Sequence, residues 1–262
     1  MNVKLPRVVI TTSWDDDAVA GLKLAELLQA CRMPGTFYPQ TAQLGQSGIL
    51  TRADVRSLAD AGFEIGAHTV THAMLTELSG EQLKSEVNDC RDTLEQITGR
   101  PVAMFCYPKG RLDGEVIAAV KRAGYQGART VQMLCSNMKF DAFAMPTTLQ
   151  AYPHRTATYV KNSAKRGAFT NVVRFSRELM SSTTWLDFGK KTFDRVLRDG
   201  GVWHLYGHAW ELDRQNLWTE LSELMEYVGA HRAEDVRGMT NGELLKLALT
   251  KSGEPALTTA AA

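Results

Sequence analysis

Short runs of β-branched and aromatic residues recur at residues 8–14, 36–38, 63–67, 102–107, 125–129 and 202–206, and each reads as a buried strand. Between these runs the apolar positions fall at helical spacing. Leu22, Leu24, Leu27 and Leu28 form one stripe, which Met33-Pro34-Gly35 stops. Residues 51–61 open on Thr51 with Asp54 three positions on, the pattern of a capping box, and Gly62 ends them. Residues 79–97 carry Leu83, Val87, Leu94 and Ile97 on one face, before Gly99 and Pro101. Further helices are expected at 114–122, 185–198, 217–231 and 240–249. Strand and helix therefore alternate, which is the signature of parallel βα units.

The pattern fades between residues 131 and 182, where turn formers and aromatics mix with Lys161, Lys165, Arg166, Arg174 and Arg177. This stretch is expected to be an irregular insertion of loops and short helices, on the substrate side or at an interface. The whole is expected to form a single domain over residues 1–250, with 251–262 as a frayed C-terminal tail. A length of 262 residues suits one such unit, because α/β barrels of roughly 200–250 residues commonly form single domains.

Composition narrows the partners. With 44% hydrophobic and 23% charged residues, the chain can bury an ordinary core. A formal net charge of +1 and the lack of like-charge runs argue against nucleic acid as a partner. No apolar stretch approaches the roughly 18 residues of a membrane helix, so membrane insertion is not expected. The chain runs into a short apolar stretch at 8–12 without a signal-peptide core or cleavage site, so a cytoplasmic location is the expectation. Cys31, Cys90, Cys106 and Cys135 are widely spaced with no C-x-x-C pair, and reduced thiols are expected. The oligomeric state is left open.

Three clusters carry candidate chemistry, and each falls where an expected strand ends, the face on which parallel barrels build their sites. Asp15, Asp16 and Asp17 follow the first strand; adjacent acids also cap helices, and Asp17 suits that role. His68 and His72 stand four apart, a spacing that puts both imidazoles on one side of a helical turn. Two imidazoles and a carboxylate form a facial ligand set that leaves positions for water and substrate. His208 ends the last strand, and a histidine beside a metal can protonate a leaving amine near neutral pH. His204 is read as facing the other way and as structural.

These residues resemble those of the polysaccharide deacetylases, also called the NodB-homology family or carbohydrate esterase family four. Asp15-Asp16 resembles the paired aspartates of the family's T-F-D-D-G motif, and His68 to His72 its H-[ST]-x-x-H motif. Phe105-Cys106-Tyr107-Pro108-Lys109-Gly110 resembles F-R-P-P-Y-G, and the segment ending at His208 resembles an L-x-H pattern. The likeness runs in family order from Val8 to about Glu211. Cys106 stands where the family has arginine, Lys109 where it has tyrosine and Asp17 where it has glycine. Arg111 and Arg129 are candidates for the missing guanidinium.

The resemblance implies an α/β fold, a distorted, TIM-like (β/α) barrel of about seven parallel strands. It implies that Asp16, His68 and His72 hold one divalent ion, zinc by default, with cobalt, manganese, nickel or iron also admitted by the donor set. Asp15 would be the general base and His208 the general acid. The Lys109 backbone N–H would face the oxyanion, with Tyr107, Pro108, Arg111 and Arg129 around the substrate. The implied activity is metal-dependent hydrolysis of a linear C–N amide bond. Foremost is N-deacetylation of an acylated amino sugar on a cytoplasmic precursor of a cell-surface polysaccharide, the partner being an acylated sugar or sugar-linked small molecule. Hydrolysis of a formamide or a non-sugar amide is one alternative, and a non-catalytic, metal-retaining glycan-binding protein is the other.

Overall fold

A computed structural model describes residues 5–165 and 169–252. Strand β1 (Val8–Asp15) leads through α1 (Ala20–Ala30) to β2 (Thr36–Tyr38), and α2 (Arg52–Asp60) leads to β3 (Glu64–Ile65). Then follow α3 (Gly80–Thr98), β4 (Met104–Cys106), α4 (Gly114–Arg122) and β5 (Gly127–Arg129). The second half adds β6 (Leu149–Gln150) and three short helices, α5 (Thr156–Ala164), α6 (Phe169–Arg174) and α7 (Ser176–Ser181). It continues with α8 (Trp185–Asp199), β7 (Gly201–His208), α9 (Ala209–Gln215), α10 (Trp218–Ala230), β8 (Val236–Gly238) and α11 (Asn241–Ser252).

The strand ladders are parallel. β1 pairs with β2 on one side and β7 on the other; β3 joins β2, and β6 joins β7. β4 pairs with β5, and two isolated parallel bridges, Ala67 to Phe105 and Arg129 to Met145, link the two sheets. The ring thus closes in chain order through β1 to β7, a distorted (β/α) barrel as expected. One source of distortion is β8, which takes the edge of β1 at Val8–Ile10 while β2 takes the same edge at Ser13–Asp15.

Alternation along β1 sorts its side chains. Val8 and Ile10 join the large core beneath the helices, with Leu24, Leu28 and Val55, while Val9 points into the barrel. There Val9 meets Tyr38, Met104, Cys106, Met145 and Val202, and Leu244 and Leu245 of α11 pack on the same cluster. α11 therefore plugs the N-terminal end. Asn241, at its start, is fully buried and bonds the Tyr38 hydroxyl and Thr11. The mouth at the C-terminal strand ends is the one left for a site.

Local chemistry explains the helix boundaries. Thr51 and Asp54 make the reciprocal capping box of α2. Gly99 ends α3 in the left-handed region at φ 67. The stretch 131–182 holds β6 as well as α5, α6 and α7, and β6 is two residues long, too short to show a period. β8 and α9 are likewise elements that apolar spacing does not announce. Arg166 and residues 253–262 of the expected tail lie outside the described residues. Among the described residues no disulfide joins Cys31, Cys90, Cys106 or Cys135. Among the described residues no helix is long and apolar enough to cross a membrane.

Candidate active site

β1 delivers Asp15 and Asp16 to the open mouth, and Asp16 leaves the strand with φ 68. A non-glycine residue adopts this left-handed backbone only when its surroundings hold it there. Thr69, His72 and Lys109 share it, so four of the seven described non-glycine residues with positive φ gather at this mouth. A tight loop, not the helical turn expected from the four-residue spacing, brings the two histidines together. Glu86 of α3 pins that loop, accepting from the Val70 and Thr71 N–H groups at 2.9 Å and from the Thr71 hydroxyl at 2.6 Å.

The ligand atoms are oriented by groups behind them. His68 Nδ1 lies 2.8 Å from the Cys106 carbonyl, which selects the tautomer that donates there and leaves Nε2 as an acceptor. Burial holds the His68 pKa below its ordinary value against the pull of Asp15 and Asp16, which favours the neutral ring. His68 Nε2 and His72 Nε2 each lie 3.9 Å from Asp16 Oδ1. The other Asp16 oxygen accepts from Trp210 Nε1 at 2.8 Å. Three acceptors therefore converge at a spacing too long for hydrogen bonds between them, an arrangement that fits one divalent cation. Asp15, His68 and Cys106 meet a similar spacing. There, however, Arg129 Nη2 already sits 2.9 Å from Cys106 Sγ and pairs with Asp15, so a guanidinium supplies the positive charge.

Asp15 and Arg129 form a buried ion pair, 5% and 0% exposed. The guanidinium also lies 5.4 Å from the ring centre of Tyr38 and 5.0 Å from that of Tyr206. Burial works to raise the Asp15 carboxyl, but Arg129 first, then His68 and His208, bring it down to about 2. Asp15 is therefore ionised throughout the neutral range. Burial pushes the Cys106 thiol far above its usual range, which makes it a packed neutral group rather than a nucleophile. The missing arginine of the third motif has a direct substitute. Cys106 and Arg129 are partners in the β4–β5 ladder, so the charge has moved one strand sideways.

His208 stands across from this pair, its Nε2 3.9 Å from Asp15 Oδ2. Its Nδ1 lies 2.6 Å from Glu211 Oε2, which also accepts from Gln150 Nε2 at 2.8 Å. Gln150 Oε1 in turn accepts from the Tyr206 hydroxyl at 2.9 Å and lies 2.8 Å from His154 Nε2. Burial works to lower the His208 pKa, but the Glu211 hydrogen bond and the charges of Asp15 and Glu211 outweigh it and raise the value. Trp210, 39% exposed, lies 5.5 Å from the His208 ring and gives the mouth an apolar wall.

Other expected site residues are placed differently. Tyr107 is buried with its hydroxyl on the Phe143 carbonyl at 3.0 Å, and Pro108 and Arg129 are also buried. Their side chains serve packing and the Asp15 pair, not substrate contact. Lys109 sits in the turn Pro108–Gly110, and its N–H donates to no other described residue. Arg111 is exposed beside it. Asp17 is not a helix cap, since Val19 holds that position without a side-chain bond; Asp17 is buried and accepts from Gln40 at 3.2 Å. His204 does not face away from His208, because positions four apart share one face of a strand. It lies deeper on that face, bonded to Ser13 at 2.8 Å and Pro146 at 3.0 Å, with burial foremost and then Arg129 lowering its pKa to about 3. Its role remains structural. Glu211, Trp210, Gln150 and Glu86 are the functional neighbours that motif reading passes over. Only Glu211 carries a local signal, standing three residues after His208.

Barrel and mouth together define an α/β barrel whose open end gathers two imidazoles and a carboxylate that could hold a metal ion. Residues 2–128 match the family model described as polysaccharide deacetylase. Over its first half the chain is similar in sequence to the polysaccharide deacetylases. It is 27% identical over 120 residues to a peptidoglycan-N-acetylglucosamine deacetylase of Bacillus cereus, a match covering 45% of this chain and 54% of that protein. It is 27% identical over 105 residues to the peptidoglycan-N-acetylmuramic acid deacetylase PdaA of Bacillus subtilis, covering 40% and 38%. The chain thus spans about half or less of the length of these relatives. In fold the likeness covers nearly everything. A provisionally assigned polysaccharide deacetylase from Mycobacterium smegmatis superposes with a TM-score of 0.67 at 13% identity, over 99% of this chain and 96% of that one. The peptidoglycan deacetylase PdaC from Bacillus subtilis gives 0.57 at 14% identity, over 97% and 96%.

Proposed function

We propose that the protein is a metal-dependent amide hydrolase that removes the acetyl group from an acylated amino sugar. One observation carries the reading: Asp16 Oδ1 stands 3.9 Å from two histidine Nε2 atoms, while Asp15, one residue away, is held ionised and is not itself a ligand. Asp16, His68 and His72 would hold the ion, with zinc favoured by the donor set and cobalt, manganese, nickel or iron admitted. When bound, the ion acidifies a water and polarises the acyl oxygen.

The remaining work falls to the chain. Arg129 occupies Asp15 Oδ1; Oδ2, on the side of His208 and met among the described residues only by the Cys106 thiol at 3.6 Å, is the oxygen that takes the proton of the attacking water. The Lys109 N–H, which donates to no other described residue, would donate to the oxyanion as the water oxygen bonds to the acyl carbon. Protonated His208 gives its Nε2 proton to the amine nitrogen as the C–N bond breaks, and Glu211 stabilises the imidazolium. The products are acetate and a free amine. The names of the Bacillus relatives, deacetylases of N-acetylglucosamine and N-acetylmuramic acid in peptidoglycan, support an acetylated amino sugar as the substrate class.

The test is elemental analysis together with acetate release from N-acetylated amino sugars, for wild type, Asp15→Asn and His68→Ala. Wild type should bind about one divalent ion per chain and release acetate. Asp15→Asn should keep the ion and lose turnover, and His68→Ala should lose both. A wild type that holds no divalent ion, or a His68→Ala variant unchanged in metal content and turnover, overturns the reading.

A further inference from the structure

Beside the Lys109 turn lies a groove of about 420 Å³, lined by Thr76, Lys109, Arg111, Leu112, Asn162 and Lys165 among others. Its walls come from the segments after β3, β4 and β5 and from the end of α5. The first three of these leave the strands at the C-terminal mouth, so the groove opens on the face that carries the candidate site. The link is also covalent. Lys109 is three residues beyond Cys106, whose carbonyl orients His68, and Thr76 is four beyond His72.

The groove is cationic in a chain that is nearly neutral. Among the described residues Lys109, Arg111 and Lys165 line it and no carboxylate does, while the formal net charge of the whole chain is only +1. None of the three cations forms an ion pair among the described residues. Asp113, the nearest acid in sequence to Arg111, is engaged as the N-cap of α4, accepting from the Val116 N–H at 2.9 Å. The placement of Lys165 is built in. Asn162, one turn earlier on α5, accepts from the Met133 N–H and donates to the Val131 carbonyl, both at 2.8 Å, which fastens the end of α5 against the segment after β5. Three like charges brought together without a partner repel one another, and a multiply charged anion relieves that repulsion.

We propose that this groove binds the phosphate of a phosphorylated acyl amino sugar, so that the substrate is anionic rather than a neutral glycan chain. The inference rests on the amide-hydrolase reading for the identity of the sugar end. Arg111 supplies paired N–H donors to the phosphate oxygens, and the two lysines act as point charges around it. The same phosphate chemistry can arrive on a soluble sugar phosphate or on a lipid-borne one.

The test compares N-acetylglucosamine with N-acetylglucosamine 1-phosphate, and adds the same sugar phosphate displayed on a lipid in neutral vesicles. Turnover is measured for wild type, Lys165→Gln and Arg111→Gln/Lys165→Gln; binding is measured by calorimetry in metal-loaded Asp15→Asn protein with and without the same changes. The phosphorylated sugar should be preferred by kcat/KM. That preference should fall about tenfold for each cation removed, and binding should weaken in parallel and with added salt. Preference for the vesicle-borne form over the soluble one identifies the source as a lipid headgroup, and the reverse order a soluble metabolite. Equal use of neutral and phosphorylated sugars, or binding that ignores both the substitutions and salt, overturns the groove assignment while leaving hydrolysis intact. Salt-sensitive binding that follows the substitutions without any acetate release overturns the hydrolase reading and keeps the groove.

Discussion

The two walls of the barrel mouth are assembled differently. On one side, β1 and the loop after β3 supply all three candidate ligand atoms and the candidate general base from two short segments, residues 15–16 and 68–72. On the other side, β5 and β6 contribute one group each, Arg129 and Gln150, and the β7–α9 junction three, His208, Trp210 and Glu211. On the proposed reading the first wall holds the metal ligands and the base, and the second holds the proton donor with the charges and hydrogen bonds that orient these groups. Ligands can be clustered locally because one ion needs several atoms at once. Orienting groups approach from behind their targets, so they come from whichever strand the ring places there.

The sharpest break of this comparison lies within the first wall, between two adjacent aspartates. Asp16→Asn should lose the bound ion, because it weakens the only carboxylate at the converging acceptors. Asp15→Asn should keep the ion while turnover falls about 10²- to 10⁴-fold, the usual range for removal of a general base. Metal content and acetate release, measured on both variants, separate the roles. Equal metal loss in both would merge Asp15 into the ligand set.

Arg129 probes the second wall. Arg129→Met leaves the Asp15 carboxylate buried without its partner, and breaking such a pair costs about 3–5 kcal/mol of stability. Asp15, held at about 2 in the folded protein, contributes stability above its unfolded value that fades as pH falls through about 2; in Arg129→Met that contribution should vanish. Because Cys106 and Arg129 are ladder partners, the double variant Cys106→Arg/Arg129→Met returns the guanidinium to the neighbouring strand. Thermal unfolding should show part of the loss recovered. A double variant no more stable than Arg129→Met alone would mean that the charge cannot be moved across the ladder.

The same division governs what the chain discloses before it folds. The acids after β1 and the histidine pair after β3 stand out because each cluster is contiguous and follows a run of strand formers. The barrel itself is legible from the regular alternation up to Arg129. Beyond that point β6 (Leu149–Gln150) and β8 (Val236–Gly238) contain no run of β-branched and aromatic residues, and their places are set by ladder partners far away in sequence. Arg129 is a candidate from sequence but not a choice over Arg111, since only the β4–β5 register puts it on Asp15. Tyr107 shows the opposite failure. Its motif position suggests the substrate, while its burial against Phe143 is a tertiary fact.

Trp210 tests whether the second wall reaches the ligands at all. Its indole N–H holds the Asp16 oxygen that faces away from the histidines. Trp210→Phe keeps the apolar wall beside His208 but removes that donor. Groups that orient a ligand in this way typically contribute tenfold or more to metal affinity, so a loss of about tenfold is expected in a competition titration with a chelator. An unchanged affinity would confine Trp210 to shaping the mouth.

The smallest effect is the most specific. His208 must be protonated to give a proton to the amine, so kcat should fall as pH rises through its pKa. That pKa is raised above the ordinary histidine value because Glu211 and Asp15 outweigh burial, which puts the alkaline limb of the profile above about 6.5. Glu211→Gln removes the charge and the carboxylate acceptor at Nδ1 but preserves the volume. Burial then gains ground against Asp15 and Asp16, the pKa drops, and the alkaline limb should move to lower pH, with a modest loss of kcat at neutral pH. Asp15, already ionised from about pH 2 upward, adds no limb in the measured range. If the limb stays in place in Glu211→Gln, the proton on the leaving amine does not come from His208, and the two walls do not divide the reaction as their geometry suggests.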